Sequence, residues 1–328
     1  MSGERPRLRP TLGPAGTALL GFGSSQGNRV VTNDDLSRRV DTSDEWIRQR
    51  VGIVERRLAD EDQSLVDMAV EAGAKALANS GLAPSDVDAV IVATCTMPGS
   101  IPNAAAQTAD RIGVKAAAAF DLNAACAGFS YSLAVASDMI RSGSARRVLV
   151  IGAERFTDWV DWQDRSTCII FADGAGAAVV GPSDEPRIGP VAWGSSGDQA
   201  GLIYLRDGRY IYQEGRSVFR WATTQIAPVA ERAVELAGLS LSDIDVLVPH
   251  QANLRIVEAI AKRLRARGAR EDMVVADDIV HSGNTSSASI PLALDHMTAA
   301  GRVRSGDVAL LVGFGAGLSY AGQVVVCP

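Results

Sequence analysis

Two stretches of the chain, Gly81-Leu-Ala-Pro-Ser-Asp-Val-Asp-Ala-Val-Ile-Val92 and Gly238-Leu-Ser-Leu-Ser-Asp-Ile-Asp-Val-Leu-Val-Pro249, are two versions of one pattern. Each follows a segment with apolar residues at helical spacing, 64–80 before the first and 222–237 before the second. Each then supplies a glycine helix stop, a Ser-Asp turn and a continuous apolar strand. They lie 157 residues apart (238 − 81). A second pair follows. Cys126 precedes a helical pattern ending near Gly143 and then Arg147-Val-Leu-Val-Ile-Gly152. Asn284 precedes a helical pattern over 285–300, then Gly301 and Asp307-Val-Ala-Leu-Leu-Val-Gly313. The Cys126-to-Asn284 offset is 158 (284 − 126). Two independent segments at nearly one offset read as an internal duplication; the competing explanation is chance similarity of short αβ units.

The duplication divides the chain into two α/β halves, 1–181 and 182–328. Continuous apolar strands alternating with helices predict mostly parallel sheets covered on both faces. A pseudo-twofold relation would make Cys126 and Asn284 symmetry mates at helix N-termini facing one cleft. His250, ending the second Gly-Leu strand, points to the same cleft.

Composition sets the outer bounds. The 328 residues are 47% hydrophobic and 21% charged, enough for a large core. Net charge is −6, and nearly all the basic residues are Arg, so nothing global favours nucleic acid. The four cysteines include no close pair, which argues against both a zinc site and a disulfide framework and fits a cytosolic protein. No secretory signal and no apolar run of membrane-span length is present, so no membrane association is expected; residues 1–14 read as poorly ordered.

Cys126 sits in Asp121-Leu-Asn-Ala-Ala-Cys-Ala-Gly-Phe-Ser130, between a strand expected to be buried over 117–122 and a helix over 127–142. Unpaired N–H groups and the positive end of the helix dipole favour a thiolate there. Its small neighbours let a substrate come close. Free cysteines are more often small core residues, and Cys95, Cys168 and Cys327 are read that way. His250 could be an acid, a base or a hydrogen-bond donor, or simply structural. His281 precedes Asn284 in a loop and could position it; His296 falls in a helix pattern. Asn284 is either a helix cap or an amide donor to a substrate oxygen. The turn Gly313-Phe-Gly-Ala-Gly-Leu-Ser319 offers backbone N–H groups at close range but lacks a phosphate-loop ending. Asp173-Gly-Ala-Gly-Ala177 reads as close packing at a strand turn.

At this point three motifs combine: Asn-Ala-Ala-Cys126-Ala-Gly-Phe, Pro-His250-Gln-Ala-Asn-Leu-Arg and Gly-Asn284-Thr-Ser-Ser-Ala-Ser-Ile-Pro-Leu-Ala. With Asp41-Thr-Ser-Asp-Glu-Trp-Ile47 and Ile170-Phe-Ala-Asp-Gly-Ala-Gly-Ala177, the chain resembles β-ketoacyl-acyl-carrier-protein synthase III of the thiolase superfamily nearly end to end. The actinobacterial kind is the nearest likeness, including polyketide starter-unit variants. The resemblance implies a five-layer α/β/α/β/α thiolase fold, in agreement with the duplication. It also implies ping-pong chemistry: an acyl group moves from CoA to Cys126, and malonyl-acyl-carrier-protein then loses CO₂ and attacks it.

Carried over residue by residue, the resemblance makes Cys126, His250 and Asn284 catalytic. The N–H groups of Cys126 and Ala316 become an oxyanion hole, and Phe314 a wall that keeps the pocket dry. Trp46, Arg50, Arg165, Arg216 and Asn253 become CoA contacts. Arg255, Lys262 and Arg263 become a basic docking face for an acidic carrier protein, extended by Arg265, Arg267 and Arg270. Ile101 falls where the family closes the partner's acyl pocket across a homodimer. The resemblance calls for acyl-CoA as substrate and for no metal or redox cofactor.

Two departures leave the primer open. The context of Ile101 differs, and 201–216 is short and atypical, with Arg216 where a small polar residue is common. A same-fold acyltransferase to an alcohol or amine is a second reading, disfavoured by Asn rather than Asp at 284. A starter-unit transferase, a non-catalytic scaffold partner and a cysteine hydrolase are others; the intact Cys126, His250 and Asn284 set argues against the scaffold.

Overall fold

The computed structural model describes residues 11–99 and 101–328, so most of the N-terminal stretch 1–14 lies outside the described residues. The first sheet takes β1 (Gly16–Gln26), β4 (Ala89–Ala93), β5 (Ala118–Leu122), β6 (Val148–Arg155) and β7 (Asp173–Ser183), in the order β1-β7-β6-β4-β5. A small ribbon pairs β2 (Arg29–Thr32) with β3 (Glu55–Leu58). The second sheet takes β8 (Ala192–Ser195), β11 (Val246–Pro249), β12 (Val274–Val275), β13 (Val308–Gly315) and β14 (Ser319–Val326), in the order β12-β11-β13-β14-β8. Between β8 and β11 a hairpin forms from β9 (Ile203–Arg206) and β10 (Tyr210–Gln213). Matching β1 to β8, β4 to β11, β5 to β12, β6 to β13 and β7 to β14 makes the two sheet orders identical, which is the duplication in three dimensions.

The local chemistry of the repeated motif is also duplicated. The helix α3 (Leu65–Ser80) starts on a Ser64/Asp67 capping box and stops at Gly81, where φ is 69°. The matching helix α6 (Gly215–Leu236) is followed by Gly238 at φ 73°. In each Ser-Asp turn the Asp accepts from a backbone N–H three residues back, Asp86 from Ala83 and Asp243 from Ser240. The second Asp of each motif holds the entry to the neighbouring strand: Asp88 accepts from Arg146 and Arg147, Asp245 from Val308.

Helices complete five layers. Outside the first sheet lie α3 and α4 (Ala104–Ile112); outside the second lie α6 and α7 (Leu254–Arg265). Between the sheets lie α5 (Gly128–Arg141) and α9 (Ser289–Ala299), sharing one buried cluster with strands of both halves. The short helices α1 (Asn33–Ser37), α2 (Asp44–Val51) and α8 (Ile279–Ser282) flank the site.

Three expectations need correction. The sheets are mixed, not mostly parallel: β4, β5 and β6 run parallel, but β7 is antiparallel to β6 and β1 to β7, and the second sheet repeats this. In the second sheet connection length imposes this, since β13 reaches β14 through three residues, too few for a crossover; in the first, β7 takes the same direction after a longer connection from β6. The strand at 118–122 is only half-buried, because β5 is a sheet edge. The symmetry mate of Cys126 is Ser287, not Asn284. The turns Ala125–Ala127 and Ser286–Ala288, each leading into a central helix, correspond at an offset of 161 (286 − 125). Both begin in the left-handed region, Ala125 at φ 47° and Ser286 at φ 52°. Asn284 therefore matches Asn123, and each Asn accepts from the backbone N–H two residues on. The helical pattern over 127–142 begins one residue before α5, whereas that over 285–300 begins four residues before α9, and this difference of three residues is the slip.

Asp173-Gly-Ala-Gly-Ala177 packs tightly, as read, but inside β7 rather than at a turn. A Cβ on Gly176 would stand 2.4 Å from the Leu292 nitrogen in α9. Backbone cannot yield as a flexible side chain can. Gly176→Ala should therefore destabilise the fold by about 1–3 kcal/mol, read as a lowered midpoint in chemical denaturation; an unchanged midpoint would contradict this packing.

Candidate active site

The central helices aim their first turns at a single cavity of about 1110 Å³, lined by Cys126, His250, Asn284, Phe314, Gly315 and Ala316 among others. Cys126 stands in the turn before α5. It presses so closely on β13 that a Cβ on Gly315 would lie 2.6 Å from its Cβ and 2.9 Å from its sulfur. Only glycine fits there. Ser286 Oγ donates to the sulfur at 3.3 Å, and the backbone N–H groups of Ala316 and of Cys126 itself face it.

These donors do not make an easy thiolate. Burial pushes the Cys126 thiol up to about 11, and the nearby Glu154 adds to the rise, against the lowering from Ser286 and the two N–H groups. The helix N-terminus alone was expected to favour thiolate; removal from water outweighs it.

His250 follows β11, and its N–H donates to Val312 O at 2.8 Å. Its ring is buried, edge-on to Phe314 with centroids 5.3 Å apart. Nδ1 lies 2.7 Å from Ser289 Oγ, which also accepts from the Gln251 N–H at 3.3 Å. Among the described residues the Ser289 hydroxyl proton has no acceptor other than Nδ1, which assigns the imidazole proton to Nε2. Burial lowers His250 to about 3, so the ring is neutral at ordinary pH. Asn284 is buried and its Oδ1 accepts from the Ser286 N–H at 2.8 Å. Its Nδ2 is thereby left as the group facing the cavity.

The mouth carries the other expected residues. Trp46 on α2, Arg50, Arg165, Arg216 and Asn253 all line the cavity. The Arg165 guanidinium lies over the Trp46 ring at 4.9 Å and donates to Asp41 O at 2.8 Å. Asn253 caps α7 through Arg255 N–H and donates to Arg50 O at 3.3 Å, tying the two rims together. The short segment 201–216 is the β9–β10 hairpin, which lends Ile203, Tyr204, Leu205 and Ile211 to the wall. Arg255, Lys262 and Arg263 share one exposed face of α7. Arg255 also covers the Phe219 ring at 5.4 Å and lines the cavity, so it serves the mouth as well as the helix face. Arg267 and Arg270 do not extend the charge as expected: they pair with Glu231, Asp245 and Asp272, while Arg265 donates to Met273 O. Ile101 is 90% exposed on the monomer, outside this cavity's lining.

His281 does not reach Asn284; it is exposed on α8 beside Glu55. Cys95, read as incidental, lines the cavity and shares Glu154 and Ser286 with Cys126. Two residues escaped the sequence reading altogether: Glu154, fully buried at the end of β6, and Ser286. A charged residue closing an apolar strand, Val148-Leu-Val-Ile-Gly-Ala-Glu154, was the available signal for the first.

Models of 3-oxoacyl-acyl-carrier-protein synthase III match residues 120–197, and those of its C-terminal part match 234–327. Together they cover more than half the chain. The chain belongs to the β-ketoacyl-acyl-carrier-protein synthase III family. It is 51% identical to synthase III 4 of Streptomyces coelicolor over 95% of this chain and 99% of that one. It is 47% identical to the mycobacterial synthase III of Mycobacterium avium over 98% and 99%. Among solved structures, the priming β-ketosynthase of a polyketide biosynthetic pathway superposes with a TM-score of 0.94 at 42% identity, covering 98% of this chain and 99% of that one. The synthase III of Aquifex aeolicus gives 0.90 at 39% identity, over 95% and 100%. The thiolase fold and the actinobacterial type of synthase III are thus those of this chain. Among the described residues no helix is long and apolar enough to cross a membrane.

The buried His250 and the half-buried His296 separate in titration. Asp278 raises His296 above 6.5 while burial lowers His250. From about pH 8 to about pH 4 the His296 ring resonances should titrate in NMR and those of His250 should not; a His250 midpoint near the ordinary value would show that its pocket is wet.

Proposed function

We propose that the chain carries an acyl group from acyl-CoA on Cys126 and condenses it with malonyl-acyl-carrier-protein, releasing CO₂. This condensation initiates fatty acid or polyketide synthesis. The observation that carries the roles is the convergence of two fixed, neutral donors, His250 Nε2–H and Asn284 Nδ2–H, on the cavity that holds Cys126. Neutral donors suit an oxygen that gains charge during the reaction.

In the first half-reaction the Cys126 sulfur attacks the thioester carbonyl, and its oxyanion is met by the N–H groups of Cys126 and Ala316. CoA leaves, its nucleotide held at the mouth by Trp46, Arg50, Arg165, Arg216 and Asn253. In the second, the malonyl thioester oxygen lies against His250 and Asn284. Loss of CO₂ leaves an enolate there, and its carbon attacks the acyl-Cys126. Donors of this kind supply about 2.7–4 kcal/mol each. The buried Phe314 ring disfavours a carboxylate beside it and so favours its departure as CO₂.

The exposed face of Arg255, Lys262 and Arg263 suits an acidic carrier protein. The half-buried β5 edge and the exposed Ile101 suit a homodimer in which Ile101 enters the partner's acyl pocket. A cytosolic location accords with CoA-thioester substrates. Within this chemistry a polyketide starter role is favoured by the likeness to the priming ketosynthase.

Asn284→Ala should still take a radiolabelled acyl group from acyl-CoA onto Cys126, while CO₂ release from malonyl-acyl-carrier-protein falls about 100-fold or more. Decarboxylation at the wild-type rate would reduce Asn284 to a cap and remove the main support for the mechanism. Reversing charge at Lys262 and Arg263 should raise the KM for malonyl-acyl-carrier-protein about tenfold, with salt-dependent binding. Acyl-CoA loading should stay near wild type; a parallel fall of both half-reactions would refute the docking role.

A further inference from the structure

Behind Cys126 lies a buried carboxylate that the condensation chemistry leaves unused. Glu154 is fully buried, and no salt bridge among the described residues reaches it. Its two oxygens are treated differently. Oε2 accepts from the N–H groups of Cys95 and Thr96, each at 3.1 Å, and from Thr96 Oγ1 at 2.5 Å. Thr94 Oγ1 adds a further contact at 3.1 Å. This side is built for a lone pair. Oε1 shares only the long end of the Cys95 N–H bond, at 3.4 Å, and its other partners are groups whose protons can be redistributed: Ser287 Oγ at 2.8 Å, Ser286 Oγ at 3.1 Å and Cys95 Sγ at 3.4 Å.

The proton count on that side is informative. Ser287 Oγ lies 2.9 Å from the Ala93 carbonyl, which can only accept. A hydroxyl has one proton. If Ser287 gives it to Ala93, its 2.8 Å contact with Oε1 requires a proton on the carboxyl. Ser286 Oγ similarly spans Cys126 Sγ at 3.3 Å and Oε1 at 3.1 Å with a single proton. Ser286 is held in the left-handed region, φ 52°, a costly conformation for a residue with a side chain. That backbone directs its hydroxyl between sulfur and carboxyl. Oε1 therefore accommodates a proton as well as its absence, and one hydroxyl joins it to the nucleophile.

We infer that Cys126 and Glu154 hold one proton between them through Ser286, and that Glu154 stores it while Cys126 carries the acyl group. The inference rests on the reading of Cys126 as nucleophile. On loading, the S–C bond forms as the S–H proton passes to Ser286 Oγ and the Ser286 proton passes to Glu154 Oε1. The CoA thiolate leaves and takes a proton from water. On condensation, the enolate carbon displaces the Cys126 sulfur, and the stored proton returns through Ser286 to that thiolate. One solvent proton is consumed per turnover, which balances CO₂ and CoA thiol as products. The device also keeps Glu154 neutral behind Cys126 while the enolate develops negative charge in the cavity in front of it. Burial, which raises Glu154, supports this.

Few other groups can take the proton. The titratable groups around the pair are Cys95, from the loop after β4, whose thiol burial pushes well up, and His250 across the cavity, neutral at ordinary pH. The turn before α9 offers only hydroxyls and the Asn284 amide. Ser286 touches the reacting sulfur and is catalytic in this scheme; Glu154 acts through it and is a positioning residue.

The test uses iodoacetamide on the full chain, which depends on Cys126 reactivity and not on the condensation. In the wild type, alkylation of Cys126 should bring up a carboxylic-acid carbonyl band in the infrared difference spectrum. Glu154→Gln should abolish the band and slow alkylation about 100-fold at neutral pH, with the gap narrowing as pH rises and hydroxide takes over. Ser286→Gly tolerates the left-handed backbone and removes the hydroxymethyl group, and with it the relay. It should give the same slowing and lose the band, and it remains decisive if Glu154→Gln does not fold. A wild type without the band overturns the inference. So does a Glu154→Gln variant that alkylates faster, since a purely electrostatic Glu154 only raises the thiol and its removal would activate Cys126. If the pair behaves as described but acyl-CoA fails to label Cys126, the condensing reading fails and the shared proton stands.

Discussion

The molecule depends on backbone-to-backbone contact where each half drives a helix start into the other half's sheet. Four glycines mark the contacts. A Cβ on Gly313 or Gly315 would strike Ala127, Ser130 or Cys126 ahead of and within α5. A Cβ on Gly152 or Gly176 would strike Ser287, Pro291 or Leu292 ahead of and within α9. The exchange is reciprocal, first-half helix on second-half strand and the converse. Helix starts carry unpaired N–H groups, so the arrangement brings two polar ends to one place between two apolar sheets. The site is the result of that packing. Cys126 and Asn284 are positioned by contacts that also hold the halves together, and loosening one loosens the other.

The duplication also accounts for the division of labour. The two turns share conformation, down to the left-handed first residue and the Asn that accepts from it. Their side chains have diverged. One turn supplies sulfur; the other supplies two hydroxyls that meet a carboxylate. The strand ends behind them have diverged too: by strand register Gly152 corresponds to Gly313, so Glu154 corresponds to Gly315. A buried acid on one side and bare backbone on the other make the nucleophile's surroundings asymmetric within a symmetric frame.

Much of this was legible because repetition is legible. The Gly-Leu-Ser-Asp pattern revealed the two halves, and the junction of apolar strand with helix revealed Cys126. The slip of three residues in pairing Cys126 with Asn284 arose because a short 3₁₀ turn and the first helical turn look alike in hydrophobic spacing. The edge position of β5 could not be read, since Ala118-Ala-Phe-Asp-Leu122 has the composition of a central strand. Glu154 was missed for a different reason. A carboxylate at the end of an apolar strand looks like the point where the chain meets solvent, and only the fold shows hydroxyls and amides there instead. The high thiol of Cys126 has the same origin: a helix start is visible in a sequence, and the enclosed cavity that half-buries it is not.

The Arg165 guanidinium seated on the Trp46 indole bears on how tightly the mouth can hold an aromatic guest. That ring face is already in use. A nucleobase must displace the cation or settle for the opposite face. A contact of this type at a partly exposed site is worth about 0.5–1 kcal/mol. Displacement would thus weaken the apparent affinity by about two- to fivefold relative to a bare indole. Under the proposed two-step reaction, in which a loaded Cys126 waits for a second, different substrate, a doorway that refills itself would hasten the departure of the spent CoA.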